Sequence, residues 1–319
     1  MRSPSTGHPM PSWQSRFATT LLKLARKRQT VARRRRPAGE RDPKGDVRRT
    51  RDRIRRLEPL LAWPRKGVRV FPAPDAPVPA EWVVPAGATP RRTLVYLHGG
   101  AYLFCSPRTH RGIAAFLARG IPARVLVPDY RLAPEHPFPA ALDDALACVR
   151  WLAHAGVPAR DIVVAGDSAG GGLALAALLA LRAAREALPA GAALLAPWVD
   201  LAATGASIRT NSGSDAWVDG DTVALGAAFY LGKTAATHPL ASPLYADLAG
   251  LPPLLLHVSD SEVLLDDSRR LADRAKAAGV SVTLKVWPGL PHVWQGFVPL
   301  IPEAAVSLRE IAAFLAAPR

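Results

Sequence analysis

From about residue 67 onward, short apolar runs alternate with longer stretches rich in Ala and Leu. That alternation predicts a parallel sheet covered by helices, an α/β fold. The expected strands are Gly67–Val70, Glu81–Val84, Thr93–Leu97, Arg124–Pro128, Ile162–Ala165, Ala192–Leu195, Leu254–Val258 and Ser281–Val286. Several of the later ones are unbroken β-branched or Leu runs, as strands buried on both faces should be. Between them the pattern predicts helices around His110–Ala118, Ala140–Ala155, Ala169–Ala187, Asp266–Ala278 and Pro302–Ala316.

Two segments depart from this rhythm. Residues 200–250 separate two strands by some fifty positions, with Asn211-Ser212-Gly213-Ser214-Asp215 as a flexible lead-in and Asp221–Tyr230 as a helix. An insertion of that length reads as a lid or cap rather than a structureless loop. Near the N-terminus, Trp13, Phe17, Leu21 and Leu24 recur at helical spacing within Trp13–Arg28. The resulting amphipathic helix is expected to pack on the body, although the same pattern would also suit a membrane surface. The chain thus divides into an N-terminal helical segment, 1–66, and a main domain, 67–319, carrying the insertion at about 200–250.

Charge sharpens that division. The chain has 319 residues and a net charge of +15, yet residues 1–66 carry 20 Lys and Arg against 5 Asp and Glu, so the remainder is balanced at 21 against 21. Runs such as Arg33–Arg36 and Arg48–Arg56 could contact anionic lipid or nucleic acid by charge alone. A solvated helix face explains them more simply, and no nucleic-acid partner is expected. Cys105 and Cys148 form neither a metal-ligand spacing nor a disulfide framework, which suits two buried thiols in a reducing compartment. With no apolar run of eighteen residues and no secretory leader, a cytoplasmic location is expected.

The chemistry gathers at strand ends. Gly166-Asp167-Ser168-Ala169-Gly170 follows one expected strand and opens a small-residue helix. This is G-x-S-x-G in the strand-to-helix setting that presents a serine hydroxyl on a sharp turn, with the Ala169 N–H aimed at the same space. Upstream, His98-Gly99-Gly100-Ala101 ends another strand. Glycines there let backbone N–H groups approach a developing oxyanion, so Gly99, Gly100 and Ala169 are the expected donors. A serine needs a base. Of eight histidines, His292 stands after the last strand and the turn Trp287–Pro291, in the chain order nucleophile, acid, histidine, while His257 reads as a satisfied core histidine.

Together with Asp129-Tyr130-Arg131-Leu132-Ala133-Pro134-Glu135-His136-Pro137-Phe138-Pro139-Ala140, these motifs resemble the bacterial hormone-sensitive-lipase-like esterases of the α/β-hydrolase fold. The resemblance covers about residue 67 to the C-terminus. It implies a mostly parallel eight-stranded sheet with helices on both faces and a helical cap built from the N-terminal segment and the insertion. It further implies a serine carboxylesterase for small-molecule esters of short to medium acyl chain, with no metal or cofactor, in a family where homodimers are common. The family writes its acid motif Asp-Pro-Leu-Arg-Asp. Here the match in register is Glu262-Val263-Leu264-Leu265-Asp266, which sets Glu262 on the acid, while a shift of two residues would select Asp260. Either could accept the His292 N–H. Asp266 and Asp267 read as a helix N-cap and a first-turn charge. An amide or N-acetyl hydrolase would use the same triad, and a ligand-binding member of the fold would be expected to lose the base.

Overall fold

A computed structural model describes residues 10–34, 42–61, 67–87 and 89–318. Among them eight strands form one sheet: β1 (Val68–Pro72), β2 (Ala80–Pro85), β3 (Arg92–Leu97), β4 (Ala123–Pro128), β5 (Ile162–Asp167), β6 (Ala192–Leu195), β7 (Leu254–Ser259) and β8 (Val282–Trp287). Their order is β1-β2-β4-β3-β5-β6-β7-β8, antiparallel from β1 to β4 and parallel from β4 onward. All eight lie within two residues of where the apolar runs place them. The C-terminal ends of the parallel strands share one edge, the edge where open α/β sheets carry ligands.

Alternate side chains feed two cores. Val95, Leu97, Val164 and Leu194 join one cluster with helices α4 (Ala140–His154), α5 (Ala169–Ala183) and α8 (Leu265–Ala277). Leu94, Tyr96, Val163 and Leu195 join another with α3 (Pro107–Gly120) and α9 (Pro302–Ala316). The period-two alternation of a strand puts successive residues on opposite faces, so each face is covered. Helix α5 stops four residues short of the expected Ala187. Arg185 takes a left-handed φ of 57°, and the Glu186 N–H turns back to the Leu181 carbonyl.

The N-terminal segment contains α1 (Trp13–Arg34) and α2 (Pro43–Leu61), and the insertion contains α6 (Ser207–Thr210) and α7 (Gly220–Leu231). Helix α2 is fastened beside the His98–Ala101 turn. Arg51 donates to the Leu103 and Ala133 carbonyls at 2.7 and 2.6 Å and pairs with Glu135, and Glu58 accepts the Ser106 hydroxyl at 2.5 Å.

Helix α1 corrects an expectation. It does pack on the body, but not through its large apolar residues. Ser12 and Ser15 donate to Glu303 of α9, Ala18 reaches the core, and Arg26 donates to the Ser212 and Val218 carbonyls. Trp13, Phe17, Leu21 and Leu24 stay 68, 61, 50 and 53% exposed. The small face approaches closely enough to give donors to a carboxylate at the N-terminus of α9, which the bulky stripe could not do.

Two further expectations change. The lead-in Asn211–Asp215 is a clamp rather than a flexible stretch: Asn211 donates to the Asp260 and Glu262 carbonyls, and buried Asp215 accepts from Val263. Asp266 and Asp267 lie in the first turn of α8, but its N-cap is Leu264. Asp267 is fully buried, accepting the Val199 and Asp200 N–H groups, and Asp266 accepts from Ser207, so both fasten the insertion instead of capping the helix. Cys148 is buried and Cys105 only partly so; burial pushes both thiols up to about 12, leaving neither as a ready thiolate. His8 and the end of the Arg33–Arg36 run lie outside the described residues. No described helix is long and apolar enough to cross a membrane.

Candidate active site

Ser168 sits between β5 and α5 at φ 53°, ψ −122°, a backbone conformation costly for a residue with a side chain. Two bonds hold it there. Its N–H donates to the Leu195 carbonyl at 2.8 Å, and its carbonyl accepts from Trp198 at 2.9 Å. The turn can be this sharp because Gly170 has no Cβ; one would lie 2.1 Å from the Leu97 carbonyl oxygen and 2.4 Å from that of His98. The end of β3 therefore rests directly on the start of α5.

That contact brings the His98–Ala101 turn to the serine. A Cβ at Gly99 would stand 2.1 Å from a carboxylate oxygen of Asp167, the residue before the nucleophile candidate. Among the described residues, the N–H groups of Gly99, Gly100 and Ala169 donate to no backbone carbonyl. The Ser168 hydroxyl is partly exposed, and uncommitted N–H groups on the two segments that meet beside it are candidates to hold a developing oxyanion. A cavity of about 720 Å³ opens beside this turn, lined by Arg51, Glu58, Glu81, Cys105 and Asp129 among others. Ser168 does not line it, so it is not where a reacting carbonyl would sit.

His292 follows β8 and is buried, with its Nδ1–H directed at a carboxylate oxygen of Glu262. The other oxygen of Glu262 accepts the Ser259 N–H at 2.7 Å. Burial opposes a charged imidazole, but the facing Glu262 carboxylate outweighs it and His292 is raised above its ordinary 6.5, with Asp215 and Asp167 adding to the effect. Burial raises Glu262 itself, against the pull of His292. Asp260 lies elsewhere: it is exposed and accepts the Gly289 N–H at 2.7 Å, holding the turn before the histidine. Of the two carboxylates the sequence left open, the structure brings only Glu262 to His292. His257 is a buried strand residue bonded to the Ser307 hydroxyl. No described group of three or more His, Cys, Asp or Glu could hold a metal ion.

A family model described as the alpha/beta hydrolase fold matches residues 94–296. A solved esterase described as from the bacterial hormone-sensitive lipase family is 42% identical, with a TM-score of 0.84 over 97% of this chain and 99% of that one. The chain belongs to the hormone-sensitive-lipase-like esterases of the α/β-hydrolase fold. Its similar proteins include an acetyl-hydrolase of Streptomyces hygroscopicus, 47% identical over 74% of this chain and 79% of that protein. An esterase of Acinetobacter venetianus is 38% identical over 72 and 77%. The structure of EstE5 soaked with p-nitrophenyl butyrate aligns at 37% identity and a TM-score of 0.84, covering 96 and 98%.

In this esterase a second buried cluster, which no motif in the sequence marks, lies directly behind the serine. Asp167 accepts the Tyr96 hydroxyl at 2.7 Å and faces His110 Nε2 at 3.3 Å. For His110, burial works against the charge, the Asp167 carboxylate overrides it, and the imidazole is raised; Asp167 is lowered, its pairing outweighing its own burial. His98, stacked on Tyr130 with ring centroids 4.3 Å apart, is pushed by burial and by His110 down to about 3 and stays neutral. The signal was present as His110 and Asp167, but 57 residues separate them, and only the packing of α3 across the sheet toward the end of β5 makes them neighbours. Asn211 and Asp215, which clamp the Glu262 loop, carried no motif at all.

Proposed function

We propose that this carboxylic ester hydrolase acts through Ser168, His292 and Glu262, with Gly99, Gly100 and Ala169 as oxyanion donors. The observation that carries the reading is Ser168 held at a strained turn against which the His98–Ala101 segment packs, with the N–H groups of Gly99, Gly100 and Ala169 uncommitted to any backbone carbonyl among the described residues. His292 takes the proton of Ser168 as the hydroxyl attacks the ester carbonyl, and the three donors receive the charge on the carbonyl oxygen. His292 then gives that proton to the departing alcohol. A water, deprotonated by the same imidazole, attacks the acyl-enzyme; as the bond to Ser168 Oγ breaks, His292 returns the proton to that oxygen and the carboxylic acid is released. Glu262 fixes the tautomer of His292 and stabilises its charged form without itself taking the proton.

Short to medium acyl esters are the proposed substrates, in a cytoplasmic setting. Helices α1 and α2 and residues 200–250 are proposed as the cap over the site, supported by α7: its Tyr230 stacks on Tyr102 of the oxyanion turn with centroids 3.6 Å apart. Hydrolysis of an N-acetyl or other amide through the same residues is the second reading; the name of the Streptomyces relative gives an acetyl group and leaves open which bond is cut. A series of p-nitrophenyl esters of increasing acyl length, run beside N-aryl amides, separates the two. Turnover confined to the esters and falling beyond medium chains is expected; faster amide hydrolysis would reverse the choice.

A further inference from the structure

We propose that the outward face of α1 is a docking surface for an anionic lipid bilayer. The helix has two opposed faces. Ser15, Ala18, Leu22 and Arg26 form one, and it holds the body through Glu303, the core, and the Ser212 and Val218 carbonyls. Trp13, Phe17, Leu21 and Leu24 form the other, turned roughly 150° away at 3.6 residues per turn. Each of these four large side chains is at least half exposed. Four such residues in line on one helix are a contiguous apolar strip, not the scattered exposure common on protein surfaces.

Charge selects the occupant. Helix α1 carries seven Lys and Arg and no Asp or Glu. Exposed Arg16, Lys27 and Arg28 lie alongside the strip, and α2 adds exposed Arg48, Arg53, Arg55 and Arg56. The body beyond residue 66 is electrically balanced, so the excess positive charge belongs to the N-terminal fifth of the chain, the segment that carries the apolar strip. An apolar face rimmed by cations, with Trp and Phe at its N-terminal end, matches a helix lying in the headgroup region with its side chains reaching the acyl boundary. A second copy of the chain fits less well. Pairing strip against strip about a two-fold axis would bring the same uncompensated cations of both copies together. A nucleic acid would use the charge but leave the strip unsatisfied.

The test is cosedimentation of the full chain with vesicles of mixed phosphatidylglycerol and phosphatidylcholine, beside vesicles of phosphatidylcholine alone, with oligomeric state followed by light scattering. Binding to the anionic vesicles that weakens with added salt is expected. The combined variant Trp13→Ser, Phe17→Ser, Leu21→Ser, Leu24→Ser should bind them at least about tenfold more weakly, with its far-UV circular dichroism unchanged. Should that variant not fold, Arg16→Gln, Lys27→Gln, Arg28→Gln, which alters only exposed positions, should still weaken binding. No binding to anionic vesicles by the unaltered chain overturns the proposal. So does undiminished binding by a folded strip variant, which would leave charge alone as the cause, and so does a dimer that the strip variant dissociates.

Discussion

Among single residues, Glu262 and Asp260 differ most sharply in what they offer His292. Glu262→Gln keeps the shape but presents an amide to the imidazole, and should lower kcat by about 10⁴-fold. Asp260→Asn, at an exposed position whose visible work is one bond to Gly289, should stay within about threefold of the unaltered enzyme. The reverse pattern in steady-state kinetics would move the acid to Asp260. The same contact sets the pH dependence. As the proposed base His292 must be neutral, and Glu262 raises it above 6.5, so the acid limb of kcat/KM should lie above 6.5 and move to lower pH in Glu262→Gln. An unmoved limb would mean that Glu262 does not set the histidine's charge.

Much of this was legible because backbone demands leave marks in sequence. Gly170 and Gly99 stand where a Cβ would strike a carbonyl or a carboxylate within about 2 Å, so the spacing of glycines reports a real steric constraint. The acid was harder to read. Asp260, Glu262, Asp266 and Asp267 are alike as letters, and what separates them is burial and partner: Glu262 meets His292, Asp260 meets Gly289, Asp266 meets Ser207, and Asp267 meets the Val199 and Asp200 N–H groups. No local pattern encodes those long-range partners.

Between elements, the supports of the His98–Ala101 turn, the proposed oxyanion turn, come from distant parts of the chain. Behind it, the Asp167–His110 pair joins the elbow to α3. Replacing His110 with Gln leaves a buried carboxylate with a weaker partner and should cost about 3–5 kcal/mol of stability. The sign of its pH dependence follows from the two groups. His110 is raised, so its contribution is complete below about 6.5 and is lost as pH rises through its folded value; Asp167 is lowered, so its contribution is complete above about 3.8 and lost as pH falls through its folded value. The difference in Tm between the two proteins should therefore be widest between those limits and narrow on either side. A difference that keeps growing toward alkaline pH would rule out the ion pair as its cause.

In front of the turn, α7 contributes the Tyr230 ring against Tyr102. Tyr230→Ala should lower stability by about 2–4 kcal/mol and reduce turnover, while Tyr230→Phe, which keeps the stack, should restore most of both. Full turnover in Tyr230→Ala would separate α7 from the oxyanion turn. Helix periodicity foresaw α7 to within a residue at either end and foresaw α1 as amphipathic, but not which face of α1 the body would take. Periodicity reports that two faces differ. It does not say which one finds a partner, and here a Glu303 carboxylate won the small polar face.

Across the whole molecule, the order of strands brings the functional loops to one edge. β3, β5, β7 and β8 run parallel, so the His98–Ala101 turn, Ser168, Glu262 and His292 all follow the C-terminal ends of strands at one edge of the sheet. A sequence of buried apolar runs was enough to foresee a parallel sheet covered by helices, because strands covered on both faces have no polar side to confuse the pattern, but it carried no mark of the order of those strands. The most direct test of the central claim is turnover of p-nitrophenyl butyrate by Ser168→Ala, with its fold verified by circular dichroism. Removing the nucleophile should lower kcat by on the order of a million-fold while leaving Tm largely unchanged; near-normal turnover by the folded variant would contradict the account.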